Sequence, residues 1–230
     1  MSTKPVRFGG EYRDGVFHFE LSGGHPALDF ANTLDERSRL PIERLTRFSD
    51  VVEWGRQAGL LDLDAVRTFS EFARQSPAKG DDALAKAVAL RETIFRLFNP
   101  LAHGEAPPSE VLADLNRWQR AAAEQAPLVA VQGGLGWGRP DGTRGPLQIL
   151  WPIVRSAVAL ATDTAALERL RCCQGEGCEW LFLDASRRQN RRWCDMSVCG
   201  NRAKVRTFRR NGSASNPEAS LKDSDVPSQG

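Results

Sequence analysis

The chain has 230 residues, of which 41% are hydrophobic and 26% charged, with a formal net charge of +2. That length and composition suit one larger domain with a buried core plus a small one. No apolar run approaches the roughly 18 residues of a membrane span, and Met1 to Arg7 lacks the apolar stretch of a secretion signal, which excludes both and points to the cytoplasm.

Residues 1–14 are polar and unpatterned and read as a loose arm or an edge segment. Val16 to Leu21 has strand composition, closed by Ser22-Gly23-Gly24. Pro26 suits the first turn of a helix, so a short helix is predicted from Pro26 to about Leu34. On it His25, Asp29, Asn32 and Thr33 fall to one side, and Ala27, Leu28, Ala31 and Leu34 take much of the other. Two readings of the polar side stand together: hydrogen-bonding caps that hold a strand-to-helix corner, or part of a ligand pocket.

A helical run follows. Ser49 is the expected cap of a helix carrying Val51, Trp54, Ala58 and Leu61, and Asp62 or Asp64 that of a second with Val66, Phe69 and Phe72. A longer helix is expected from about Asp81 to Leu101, and Ser109 is the expected cap of another with Leu112, Leu115 and Trp118. These apolar stripes are packing faces. Leu128 to Val131 reads as a strand, and Gly133 to Gly138 with Pro140-Asp141-Gly142 as a loop or hairpin turn. The glycine run lacks the lysine and hydroxyl residue of a phosphate loop and has no helix directly after it. A helix from about Leu147 to Thr162 tolerates Pro152 only in its first turn. The segment from Ala165 to Arg171 then enters the cysteine-rich region without a Gly, Ser or Pro linker, so body and C-terminal module are expected to pack together.

All five cysteines lie between positions 172 and 199. Cys173 and Cys178 form one Cys-x4-Cys pair and Cys194 and Cys199 a second, the spacing with which two short pairs close a tetrahedral thiolate shell around one structural Zn2+. In a reducing compartment such a cluster is a metal site rather than a pair of disulfides. Trp180 to Leu183 reads as a strand, Asp184-Ala185-Ser186 as a turn, and Arg191-Arg192-Trp193 as a second strand leading into Cys194. A helix follows Cys199. Knuckle, hairpin and helix in that order make a treble-clef finger. Trp180 and Trp193 are its expected miniature core, and Cys172 is open between replacing Cys173, sensing oxidation and simple burial.

Charge is unevenly placed. Residues 184–210 hold nine cations, Arg187, Arg188, Arg191, Arg192, Arg202, Lys204, Arg206, Arg209 and Arg210, against Asp184 and Asp195, a surplus of seven, so the remainder carries a deficit of five. A basic module on an acidic body is the electrostatic footprint of a nucleic-acid reader, a reading favoured here over the alternative of a solvated basic surface offsetting the charge of a zinc-thiolate site. At about 100° per residue, Arg202, Arg206, Arg209 and Arg210 share an arc of about a hundred degrees, while Asn201, Val205 and Phe208 form a separate arc suited to packing on the hairpin. For Arg192 and Arg202, support of the neighbouring thiolates weighs as much as nucleic-acid contact. The stretch from Asn211 to residue 230 lacks apolar periodicity and is expected to be disordered.

The run Cys199-Gly200-Asn201-Arg202, preceded by Arg192-Trp193-Cys194 and followed by Ala203-Lys204-Val205, resembles the CGNR zinc finger family. The stretch Gly23-Gly24-His25-Pro26-Ala27-Leu28-Asp29-Phe30-Ala31-Asn32-Thr33 is similar to the start of the ABATE domain, which precedes that finger in bacterial proteins. The resemblance implies a stress-induced transcriptional regulator with an N-terminal domain of unknown ligand, a DNA-binding finger and no enzymatic activity. The expected fold is α+β: a mostly helical N-terminal domain with a small β element over residues 1–165, a treble-clef finger over 166–210 and a tail over 211–230.

Three functional classes follow. The first is a zinc-dependent DNA-binding regulator whose body responds to a small molecule. The second is an enzyme, disfavoured because no histidine lies between Cys173 and Arg210 and four cysteines close the zinc shell; within the body, His25 and Asp29 are the pair to mutate first. The third is a module binding RNA or protein.

Overall fold

A computed structural model of the chain describes residues 9–138 and 145–214. β1 (Gly10–Arg13) and β2 (Val16–Phe19) pair antiparallel, so part of the N-terminal stretch is a strand. α1 (Pro26–Ala31) starts at Pro26, with the His25 ring nitrogen accepting from the Ala27 amide. It stops short of Leu34: the Thr33 hydroxyl donates to the Phe30 carbonyl, and Leu34–Asp35 (β3) pairs with Ile42–Glu43 (β4).

α2 (Phe48–Gln57) is not capped by Ser49, which lies within its first turn. Asp50 caps it instead, its carboxylate accepting from the Thr46 and Arg47 amides at 2.9 Å each, where an anion also meets the positive end of the helix dipole. Asp62 caps α3 (Leu63–Gln75) through the Ala65 amide at 2.7 Å. α4 (Pro77–Ala102) begins before Asp81, because Pro77 is itself a favourable first residue. Ser109 is the first helical residue of α5 (Ser109–Gln125), with Pro108 in the cap position.

β5 (Leu128–Val131) and β6 (Gly134–Trp137) form a hairpin, so most of the glycine run is strand; Pro140 to Gly142 lies outside the described residues. A short tight helical turn at Pro146–Leu150 leads into α6 (Trp151–Ala161), where Pro152 occupies the first turn. Then come α7 (Thr164–Leu167), β7 (Leu170–Cys172), β8 (Leu181–Leu183), a widened turn at Met196–Gly200 and α8 (Asn201–Ala214). α8 thus extends past Asn211 into the stretch expected to be disordered, and residues 215–230 lie outside the described residues.

α4 is the axis of the body. Its Leu90, Ile94, Leu97 and Phe98 are fully buried, and α1, α2, α3 and α5 all pack on it. Trp54 and Trp151 are buried in the core, beside Phe30 and Trp118 respectively. The Arg91 side chain, also buried, makes a two-pronged contact with Glu43 at 2.5 and 2.8 Å and a third with Glu92 at 2.9 Å, fastening the β3–β4 hairpin to α4 with charge-assisted bonds.

The C-terminal module docks onto this body. β8 pairs with β7 on one edge, and Leu170 and Leu181 belong to the core of the body. On its other edge, the Asn32 side chain accepts from the Leu181 amide and donates to the Leu181 carbonyl, both at 2.9 Å, and the Leu183 amide donates to the Gly23 carbonyl at 2.9 Å. Every buried strand group needs such a partner.

Replacing Asn32 with Ala leaves the Leu181 N–H and C=O buried without partners, each costing about 1–3 kcal/mol. Chemical denaturation of the zinc-loaded chain is expected to show a loss of about 2–4 kcal/mol, whereas a substitution at the exposed Glu71 shows almost none.

Candidate metal centre and nucleic-acid interface

Cys173 follows β7, Cys178 precedes β8, and Cys194 and Cys199 approach from the far loop and the widened helical turn. All four are buried, and their sulfurs lie within 4.8 Å of one another. Cys178 to Cys194 is 3.6 Å and Cys194 to Cys199 is 3.7 Å. A zinc ion bound tetrahedrally at about 2.3 Å from each sulfur requires edges of about 3.8 Å, so these sulfurs stand where the metal needs them. The Cys173 sulfur also accepts from the Gly175 and Cys194 amides at 3.4 and 3.3 Å. A β-carbon on Gly175 would come within 2.9 Å of the Cys199 sulfur, so the knuckle closes only around glycine.

Sulfhydryl donation, from Cys178 above all, pulls Cys173 to the thiolate, while the bonds to Cys173 push Cys178 and Cys194 up. Four adjacent thiolates need a dication. Cys172 stands apart: burial, reinforced by Cys173 and Glu179, pushes its thiol up to about 12, which fits simple burial better than a redox role.

Around the metal, Trp180 and Phe182 are buried with the cysteines and Trp193 packs against them. The expected second hairpin strand at 191–193 does not form, and β8 pairs with β7 instead. The reason is Asp184, whose carboxylate accepts from the Ser186 and Arg191 amides at 2.9 and 2.7 Å and draws residues 184–191 into a closed loop. Residues 191–193 run as an irregular segment, held by the bond from the Gln174 amide to the Arg192 carbonyl.

The cations divide into two groups. The Arg191 side chain donates to the Trp193 carbonyl and lies over the Phe182 ring at 4.7 Å, and Arg192 donates to Gln174 at 2.7 Å. Arg202 pairs with Glu36 at 3.1 Å, and Arg206 pairs with Glu176. α8 is therefore turned the opposite way from expectation. Arg202 and Arg206 of its arginine arc face acids of the β3–β4 turn and of the knuckle, while Val205 and Phe208, expected to anchor it, are 51% and 80% exposed. Acids distant in sequence outweigh two apolar side chains for which the short hairpin offers no seat. Arg187, Arg188 and Lys204 are exposed and have no recorded partner among the described residues. Arg209 is exposed and engaged by a partner. The Arg210 side chain lies outside the described residues.

The four body residues considered for a ligand are engaged internally. Asp29 accepts from the Gly23 amide at 2.7 Å, so closely that a β-carbon on Gly23 would meet its oxygen at 2.9 Å. Asn32 holds β8, Thr33 closes α1, and His25 caps α1, with Ser156 3.4 Å away. That serine contact had no signal in the sequence. These are the contacts of a structural corner. A cavity of about 490 Å³ opens elsewhere, between α4 and α5, lined by Glu92, Thr93, Arg96, Asp114, Arg117 and Trp118 among others, and none of the four reaches it.

This geometry defines a class: a zinc-finger protein whose finger is built into a helical body. Residues 24–164 match the ABATE family model, described as "Putative stress-induced transcription regulator", and residues 169–211 match the CGNR zinc finger model. The chain belongs to the ABATE family and carries a C-terminal CGNR zinc finger with one structural zinc. No curated protein matches it. Among the described residues, no helix is long and apolar enough to cross a membrane.

Metal analysis of reduced protein is expected to give one zinc per chain, and Cys178→Ser to lower that ratio and expose Trp180 to solvent, read by fluorescence. Burial, opposed by the Gly23 amide, raises Asp29 to about 6. A carboxyl raised in the folded state costs stability as pH climbs from its unfolded value, about 4, to its folded value. Asp29→Asn is therefore expected to melt above the parent chain at pH 7 and to converge with it near pH 4, by thermal denaturation.

Proposed function

We propose that the protein is a transcriptional regulator that binds duplex DNA through its CGNR finger. One observation carries this reading: Arg187, Arg188 and Lys204 stand exposed and unpaired, among the described residues, on a frame fixed by the metal and by β8. Phosphate contact needs cations held in place, and a rigid mount removes the ordering cost. Phe208, exposed on the same helix as Lys204, offers a ring for contact with a base. The Arg206–Glu176 ion pair is half-exposed, and such pairs are worth about 0–1 kcal/mol, so a phosphate can exchange with Glu176.

The body would receive the signal. α4 lines the cavity shared with α5 and also contacts the strands β7 and β8, so a small molecule in that cavity touches the helix that seats the finger. A non-enzymatic role agrees with the ligand set, since four cysteines leave zinc no open position. A cytoplasmic setting, where thiols stay reduced, suits it as well.

The test is binding of zinc-loaded protein to duplex DNA and to structured RNA at matched salt. DNA affinity is expected to fall steeply with salt, and the Arg187→Ala, Arg188→Ala double variant to reduce the log–log salt slope by about 2. Tighter binding to RNA moves the assignment to RNA recognition, and salt-insensitive binding or none overturns it.

A further inference from the structure

The amide side chains described in the finger divide into two pairs. Gln174 and Asn201 are engaged internally: Gln174 accepts from Arg192 at 2.7 Å, and Asn201 donates to the Ser197 carbonyl at 2.9 Å. Gln189 and Asn190 are exposed, and their side chains make no hydrogen bond among the described residues. α8, the helix that follows the metal ligands, therefore has no free amide to offer, and its Arg202 and Arg206 face Glu36 and Glu176.

The free pair sits on a loop of fixed shape. The buried Asp184 carboxylate accepts from the Ser186 and Arg191 amides at 2.9 and 2.7 Å, and the Gln189 amide donates to the Ser186 carbonyl at 3.1 Å. From β7, the Arg171 guanidinium reaches the Gln189 carbonyl at 3.5 Å. Residues 185–190 are exposed throughout, which puts Arg187 and Arg188 beside the two amides at the tip of the module. Gln189 has φ +48, in the left-handed region where glycine is the ordinary occupant. A glutamine kept in that conformation, with no contact for its side chain inside the molecule, points to a partner outside it.

We propose that Gln189 and Asn190 are the sequence-reading residues of the finger and that they recognise adenine in the major groove of duplex DNA. The proposal rests on the DNA-binding reading above and adds to it the base that is read. A carboxamide carries a donor and an acceptor side by side, which matches the N6 donor and N7 acceptor that adenine shows in the major groove. In the minor groove an A·T pair shows acceptors only, so the match is lost there. Cations on phosphates position a protein without distinguishing sequences. Arg187 and Arg188 thus hold the loop on the DNA backbone, and the adjoining amides supply the discrimination. Because the loop is ordered beforehand, both contacts form without the cost of fixing it.

The experiment is selection from a pool of randomised duplexes with the full zinc-loaded chain, followed by affinity measurements on the selected site and on an unrelated duplex. The selected site is expected to contain adenine. The Gln189→Ala, Asn190→Ala double variant is expected to bind that site at least about tenfold more weakly, with zinc content, melting temperature, salt slope and affinity for the unrelated duplex matching the parent. Gln189→Glu is expected to move the preference from adenine towards cytosine, whose N4 group donates to a carboxylate, a change that a merely structural role would not produce. Binding without sequence preference, a selected site free of adenine, or variants whose preference is unaltered would overturn this proposal and leave DNA binding standing. Failure to bind any duplex would overturn both.

Discussion

A strand buried inside a protein must pair both of its edges, and β8 finds its second partner in the side chain of Asn32 and the carbonyl of Gly23. The glycine-glycine and asparagine-threonine stretch near the start of the chain is thereby the dock for the C-terminal module. Asn32 and Leu181 are 149 residues apart in sequence. The amide side chain suits the task because it offers a donor and an acceptor side by side, which matches a strand edge. With β8 fixed in this way, the knuckle before it and the loop after it have determined positions, and so has the metal.

The metal acts on a module too small to bury a core of its own. Trp180 and Phe182 are its enclosed large side chains, and Trp193 is only partly covered. In such a module the free energy of metal binding is largely the free energy of folding. The body supplies the rest, through Leu170 and Leu181 in its core and through Glu36, which receives Arg202. The basic surplus read from composition is therefore partly internal: Arg191, Arg192, Arg202 and Arg206 brace the module, and the outward charge is carried by a smaller set that includes Arg187, Arg188 and Lys204.

What the sequence revealed follows the range of the interactions. The four cysteines were legible because each pair lies within one turn of chain and thiolate spacing has few other uses. Asp62 was legible as a cap, and Pro152 as a first-turn residue, for the same local reason. Ser49 misled because Asp50 beside it can reach back as a charged acceptor, which the pattern of apolar residues does not reveal. The rotation of α8 was not legible, since it depends on Glu36 and Glu176, which lie outside its own segment. Nor was the pairing of β8, for which the sequence offered 191–193 as a strand and gave no strand signal at 170–172, while the loop closure at Asp184 decided the outcome.

The edge pairing of β8 also bears on portability. A finger cut out at residue 169 and grafted onto a foreign scaffold would carry Leu181 into water and leave half of a ladder unmatched. Unlike modules strung on flexible tethers, this one is not a cassette that recombination can move freely. Any exchange of finger between relatives has to carry a compatible amide at the position of Asn32, so the two ends of the chain are bound to change together.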